Sequence, residues 1–410
     1  MALFDKFNKL IQERATFIQT ELSPFGTRID EIYSPTEGRI GECRVILAGT
    51  NNYLGLTFDP TCLDAARQSL EHEGTGTTGS RMANGSYSGH IALEAELADF
   101  FQRRSVILFS TGYLANLGTI GTLTGPGDIV LLDADCHASI YDACKLSGAQ
   151  IIRFRHNDAH DLERRMLRLG EQAKDALIIV EGIYSMLGDY APLKEIAEIK
   201  RQLGGYLLVD EAHSVGVMGK HGRGLAEELN VESDVDIVLG TFSKTLGAIG
   251  GFAASHHPEF NLLRYASRPY IFTASPSPAS IASVRAALQV MIDQPELRTR
   301  LWANARHLHK GLVDLGYCVG PQVSPVIPVL LESPEKGMFF WQKLIKHGVY
   351  VNLVLPPATP SGQALVRCSV SAAHTPEQID RIIGAFAQLM AEPRKEAVSN
   401  AQGATRPGYR

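Results

Sequence analysis

A lysine set among hydroxyls and glycines, in Gly240-Thr-Phe-Ser-Lys244-Thr-Leu-Gly-Ala-Ile-Gly-Gly251, directly follows the apolar, strand-like run Val235-Asp-Ile-Val-Leu239. A lysine amine forms a Schiff base with an aldehyde cofactor such as pyridoxal 5′-phosphate, and burial lowers its pKa enough to make it nucleophilic near neutral pH. Thr241 and Ser243 are candidates to bond phosphate oxygens, and Gly247, Gly250 and Gly251 allow the backbone to approach closely. Taken alone, such a cluster is more often a solvated loop. The cofactor reading therefore depends on what other positions supply.

Three further positions supply it. Asp210 ends Gly204-Gly-Tyr-Leu-Leu-Val-Asp210, an apolar run that stops at an acid and continues Glu-Ala-His213. Such runs read as buried parallel strands, and ligands of parallel sheets lie beyond the carboxyl ends, where Asp210 and His213 project. An acid beside the pyridine nitrogen keeps the ring protonated, and a protonated ring is the electron sink that stabilises a carbanion. A cap on the following turn is the plainer role for a strand-end Asp, but here one more strand-like run leads on to the lysine. His137, in Ala134-Asp-Cys-His137-Ala-Ser-Ile140, could stack flat on the ring, although a lone loop histidine usually has no such role. Phe109-Ser-Thr-Gly-Tyr-Leu-Ala-Asn116 reads as a strand-to-helix turn whose free amides, with Gly112 and Tyr113 at the head, suit a phosphate. Phosphate turn, stacking histidine, ring acid and Schiff-base lysine form a chain order that chance rarely assembles.

On these residues, and on Gly74-Thr-Gly-Thr-Thr-Gly-Ser-Arg-Met-Ala-Asn-Gly85, Glu181-Gly-Ile-Tyr-Ser-Met-Leu-Gly188, Arg268-Pro-Tyr-Ile-Phe-Thr273 and Pro356-Pro-Ala-Thr-Pro360, the chain resembles the α-oxoamine synthases of the fold-type I pyridoxal-phosphate enzymes. The resemblance spans residues 51–375. Within that family, the Arg81-Met-Ala-Asn-Gly85, Arg153-Phe-Arg-His156 and Pro356–Pro360 passages are most similar to those of bacterial serine palmitoyltransferases. The resemblance implies an α/β fold, with a mostly parallel seven-stranded sheet in a large domain, a smaller C-terminal α/β domain, and a homodimer with shared active sites. The implied reaction is a decarboxylative Claisen condensation of L-serine with a long-chain acyl thioester such as palmitoyl-CoA, giving 3-oxosphinganine.

Residue roles follow from the same resemblance. Lys244 anchors the cofactor and acts as general base, Asp210 is the ring acid, His137 stacks on the ring and touches substrate, and His213 bonds the cofactor's 3′-oxygen. Arg367, in Leu365-Val-Arg-Cys-Ser369, holds the amino-acid carboxylate through its planar fork, and its apolar neighbours argue against a surface strand charge. Asn52, in Asn51-Asn-Tyr-Leu-Gly55, reaches the same carboxylate, or is a turn asparagine. Ser185 packs near the 3′-oxygen or simply exits a strand, and Thr273 reaches the phosphate across a dimer interface. One departure bears on the substrates: some bacterial serine palmitoyltransferases carry an arginine directly before Pro-Pro-Ala-Thr-Pro, and here the position is Leu355. Glycine-using relatives lack that arginine too. Glycine or alanine as amino acid, and an acyl carrier protein in place of coenzyme A, stay open. A silent scaffold subunit is the remaining alternative, and Lys244 counts against it.

Composition is compatible with this reading. The chain has 410 residues, 45% hydrophobic and 20% charged, as is ordinary for a soluble globular protein, and its net charge of −5 argues against a nucleic-acid partner. Six cysteines show no Cys-x-x-Cys pair and no metal spacing, which suits reduced thiols in a cytoplasm; Cys136, beside His137, is the thiol expected nearest the site. Residues 1–22 are charged throughout and read as neither signal peptide nor membrane span. Leu3, Phe4, Phe7, Leu10 and Ile11 recur at helical spacing, as in an amphipathic arm that packs on a partner subunit or rests on the inner face of a membrane. Pattern changes divide the chain into this arm to residue 57, a large strand-helix unit over 58–290, a smaller unit over 291–391 and a polar, disordered tail over 392–410.

Overall fold

The computed structural model describes residues 2–8, 10–11, 23–356, 358–359 and 363–391. The tail after residue 391, residues 9 and 12–22 of the arm, and Pro357 and Pro360 of the Pro-Pro-Ala-Thr-Pro passage lie outside the described residues.

Three short strands come first, β1 (Glu31–Ser34), β2 (Glu37–Ile40) and β3 (Cys43–Leu47). Seven further strands follow, β4 (Ser105–Phe109), β5 (Ile129–Asp133), β6 (Gln150–Phe154), β7 (Leu177–Glu181), β8 (Tyr206–Asp210), β9 (Ile237–Thr241) and β10 (Gly251–Ser255), with β8 and β9 being the apolar runs noted before Asp210 and Lys244. These seven form one sheet in the order β4-β10-β9-β8-β7-β5-β6. β5, β6, β7, β8 and β9 are parallel, and β10 runs against both β4 and β9. Every residue of β4, β5, β7, β9 and β10 is buried, which is why their sequences are continuously apolar rather than alternating. Helices Ala138–Ser147, Ala159–Leu169 and Leu193–Leu203 make the crossovers between the parallel strands.

Parallel pairing brings the carboxyl ends Phe109, Asp133, Glu181, Asp210 and Thr241 to one edge of the sheet. Register fixes the neighbours there: Glu181 pairs with Asp210, and Gly251 pairs with both Thr241 and Phe109. Gly251 cannot carry a side chain, because an added Cβ would lie 2.6 Å from the Gly112 amide nitrogen and 2.7 Å from the Thr111 carbonyl carbon. The amino end of helix Gly112–Leu123 can therefore press directly onto the β9–β10 edge. Thr111 starts that helix by accepting the Leu114 amide on its side chain at 3.1 Å.

The later chain adds β11 (Val326–Leu331), β12 (Val349–Tyr350), β13 (Asn352–Val354) and β14 (Ala364–Ser369). β11, β14 and β13 form an antiparallel sheet, while β12 joins β1-β2-β3 as a fourth strand, with Val349 opposite Ile46. Residues 31–47 are thus tied by backbone pairing to the far end of the chain. Helix Glu296–Asp314 precedes β11, and the last helix is Pro376–Ala391. Among the described residues, no helix is long and apolar enough to cross a membrane.

Candidate active site

The turn after β9 is built to present one amine. Phe242 donates its amide to Gly250 at 3.0 Å and Gly247 donates to Lys244 at 3.1 Å, closing a compact loop. Gly250 has φ +147°, and a Cβ there would meet the Phe242 ring at 2.4 Å. The loop directs Lys244 into a cavity of ≈ 410 Å³ that is also lined by Gly112, Tyr113, His137, Asp210, His213, Thr241 and Ser243. Eight residues singled out in the sequence therefore meet in one place. Burial pulls the Lys244 pKa below its usual value; the charges of Asp210 and Glu181 work against this and that of Arg367 adds to it. No hydrogen bond or ion pair occupies the Lys244 amine among the described residues.

Asp210 serves both roles open to a strand-end acid. One carboxylate oxygen accepts the Ala212 amide at 3.0 Å, capping the turn, and the other accepts Nδ2 of Asn116 at 2.9 Å at the cavity wall. Asn116 also donates to the Ser139 hydroxyl at 3.0 Å, while its Oδ1 is buried without a partner. Beside Asp210 lies Glu181, whose pKa burial pushes well up, with the negative charge of Asp210 adding to the effect. Burial thus favours the protonated form of Glu181, which accepts the His137 amide.

His137 begins helix Ala138–Ser147. Its Nδ1 accepts the Ser139 amide at 3.2 Å and lies 2.7 Å from the Ser139 hydroxyl, which fixes the ring and leaves the hydrogen on Nε2. Burial lowers its pKa, so the ring is neutral. The Tyr113 ring stands edge-on to it at 6.4 Å. His213 is buried as well, with Nδ1 2.7 Å from the Tyr53 hydroxyl; burial and the charges of Lys244 and Arg367 hold its pKa well below the usual value.

Four expected residues stand outside this cavity. Arg367 is 7% exposed on β14, so it is no surface charge; Nη1 donates to the Ser185 carbonyl at 2.7 Å, Nη2 to Asn51 Oδ1 at 2.9 Å, and Nε is buried without a partner. Ser185 lines an adjoining cavity of ≈ 470 Å³ that shares His137 and includes Tyr141, Met186, Leu187 and Ala358. Asn52 has the geometry of a turn residue, its carbonyl accepting the Gly55 amide at 3.1 Å and its Nδ2 donating to Thr57 at 2.8 Å, but its Oδ1 is buried and unpaired. Thr273 is half-buried and lines neither cavity. Cys136 lies in the second cavity, where burial pushes its thiol pKa well up and keeps it inert.

Sequence reasoning missed Asn116, Glu181 and Tyr53. Two of them carried a signal: Asn116 is one helical turn past Gly112, and Glu181 ends an apolar run just as Asp210 does. Tyr53 had none, since its partner lies far along the chain.

These residues fit pyridoxal phosphate. One wall offers a depressed-pKa amine, another a buried carboxylate, and a third the hydroxyls of Thr241 and Ser243 beside the first-turn amides of helix Gly112–Leu123, which have no acceptor within the helix. A Cβ on Gly112 would lie 2.8 Å from the Thr241 Cβ, so only glycine lets the helix end reach this wall.

Comparison with known proteins agrees. The profile of the aminotransferase class I and II family matches residues 44–386. A serine palmitoyltransferase of Caulobacter vibrioides is 52% identical over 97% of this chain and 100% of its own length. An 8-amino-7-oxononanoate synthase of Geobacter sulfurreducens is 39% identical over 86% of this chain and 90% of its own. A solved structure of serine palmitoyltransferase from S. paucimobilis, with a bound PLP–myriocin aldimine, superposes with a TM-score of 0.92 at 46% identity, covering 95% of this chain and 98% of that one. With the site geometry and these relatives together, the chain belongs to the α-oxoamine synthases, pyridoxal-phosphate enzymes within the class I and II aminotransferase family.

Proposed function

We propose that this protein condenses L-serine with a long-chain acyl thioester, releasing carbon dioxide and the free thiol and leaving a 2-amino ketone, 3-oxosphinganine when the acyl group is palmitoyl. The observation that carries the reading is Lys244 meeting Asp210, His137 and His213 in one cavity, in a chain 52% identical to a serine palmitoyltransferase. Pyridoxal 5′-phosphate, when bound, supplies an electron sink for the pair left at the amino-acid Cα. Lys244 would hold it covalently, Asp210 would bond its ring nitrogen, His213 its 3′-oxygen, and Thr241, Ser243, Gly112 and Tyr113 its phosphate.

The chain's own groups then account for the proton movements. Burial lowers the Lys244 pKa and so favours the free amine, with which Nζ can take the Cα proton and later return one. His137 offers its Nε2 hydrogen to the substrate side, because Nδ1 is engaged by Ser139. Arg367 is held by the Ser185 carbonyl and Asn51, and its bare Nε with the remaining Nη hydrogens would grip the amino-acid carboxylate, helped by Asn52. That grip sets which Cα bond lies ready to break. The adjoining cavity, with Tyr141, Met186 and Leu187, would receive the acyl thioester, carried by coenzyme A or an acyl carrier protein. A homodimer would bring Thr273 to the partner's phosphate site, and the exposed Tyr265 and Phe272 on the same segment offer an apolar face for it.

A second reading keeps the chemistry with glycine or alanine. Leu355 favours it, being a buried apolar residue where an arginine would serve a serine carboxylate. The proposal is tested by thiol and carbon dioxide release from serine and palmitoyl-CoA. Lys244→Ala should abolish both, together with the visible absorbance of lysine-linked cofactor; turnover that survives the substitution would contradict it.

A further inference from the structure

We propose that Tyr53 is a positioning residue that donates its hydroxyl hydrogen to Nδ1 of His213, locking this histidine as the Nε2–H tautomer and so making it a hydrogen-bond donor toward the cofactor's 3′-oxygen. The inference rests on the reading that His213 faces that oxygen. Three observations carry it. First, the Tyr53 ring is fully buried and its hydroxyl lies 2.7 Å from His213 Nδ1, with the two ring centroids 6.1 Å apart. Second, the hydroxyl has a single hydrogen to give, and the other acceptor in reach is Asn51 Oδ1 at 3.4 Å, which already accepts Arg367 Nη2 at 2.9 Å. A short bond to a free imidazole nitrogen outcompetes a long one to an amide oxygen already engaged. Third, Nε2 of His213 has no hydrogen-bond partner among the described residues, and His213 lines the cavity that holds Lys244.

The charges around the ring support a single neutral tautomer. Lys244, Arg367 and His137 all face it and disfavour an imidazolium, in addition to burial. Burial raises the Tyr53 pKa, so the phenol stays a neutral donor. With Nδ1 occupied as acceptor, Nε2 must carry the hydrogen. The triplet Asn51-Asn-Tyr53 consequently links both sides of the chemistry, with Asn51 steadying Arg367 and Tyr53 orienting His213.

The consequence is spectroscopic. A donor on the 3′-oxygen draws electron density from it and loosens its hold on the proton of the adjacent lysine-linked nitrogen. Removing the donor should therefore raise the pH midpoint of the visible absorbance. In holoenzyme, Tyr53→Phe keeps the ring but lets His213 take either tautomer, and the midpoint should rise by about one pH unit. His213→Leu should raise it in the same direction, and the double variant should add little to His213→Leu, because both act through one hydrogen bond. A midpoint that moves in His213→Leu and not in Tyr53→Phe overturns the inference while leaving His213 at the 3′-oxygen. A midpoint that moves in neither removes the underlying reading as well. Should Tyr53→Phe fail to fold, nitrogen NMR of the histidine-labelled full chain decides: the signal lost in His213→Leu should report hydrogen on Nε2, and hydrogen on Nδ1 overturns the inference.

Discussion

Asp210 and Glu181 are neighbours across β8 and β7, both buried at the cavity edge, and only one of them is suited to carry charge. Burial and the charge of Asp210 favour a neutral Glu181, which accepts the His137 amide. A glutamine can accept the same bond. Turnover of Glu181→Gln with serine should stay near the parent value, whereas Asp210→Asn should lose about 10²–10³-fold in kcat. Equal losses in the two variants would contradict the neutral assignment. The pH dependence follows in sign: the folded pKa of Glu181 lies above its unfolded value, so its contribution to stability is full below about pH 4.3 and is lost as pH rises. Glu181→Gln should therefore gain on the parent in urea unfolding as pH increases. At this scale the sequence was legible wherever a residue closed a local pattern, as Lys244, Asp210 and His137 do. It was silent where the partner comes from afar, as with Tyr53 and His213, because no local spacing encodes a contact made only by the finished fold.

The elements that hold these residues are short strand exits, and one of them is clamped by charge. Just past β6, His156 Nδ1 lies 2.8 Å from Asp133 at the end of β5, and Nε2 lies 2.8 Å from Asp189 in the loop after β7. The Tyr184 ring packs against it at 4.5 Å. Burial alone would lower the His156 pKa, but hydrogen bonds to the two aspartates outweigh it and raise the value to about 10. The folded pKa thus lies above the unfolded value near ~6.5, so the clamp's stabilisation is full below that pH and fades as pH rises through about 10. His156→Asn should cost about 3 kcal/mol in urea unfolding at pH 6. Its deficit against the parent should close as pH approaches 10; a deficit independent of pH would mean that packing, not charge, does the holding. The strands themselves were readable as apolar runs because both faces of the sheet are covered. The clamp was not, since Arg153-Phe-Arg-His156 looks like an ordinary polar exit until Asp133 and Asp189 arrive beside it.

Across the whole molecule, the seven-stranded sheet and its ligand edge agree with the fold class read from the strand-helix alternation and the family resemblance. The pairing of β3 with β12 had no such signature, because a two-residue strand and a partner near the other end of the chain leave no periodic pattern. That pairing matters to function. It ties the Asn51–Tyr53 segment, just after β3, to the region whose β14 carries Arg367, and so brings the carboxylate grip and the cofactor wall to one site. Substrate choice is also a property of the assembled molecule: Leu355, Arg367 and the adjoining cavity come from different parts of the chain. The most direct test of the proposed function is mass spectrometry of the product made by cofactor-loaded protein from equal L-serine, glycine and L-alanine with a ladder of acyl-CoA lengths. The account predicts a dominant long-chain amino ketone derived from serine; a dominant glycine or alanine product, or none with either acyl-CoA or an acyl carrier protein thioester, would contradict it.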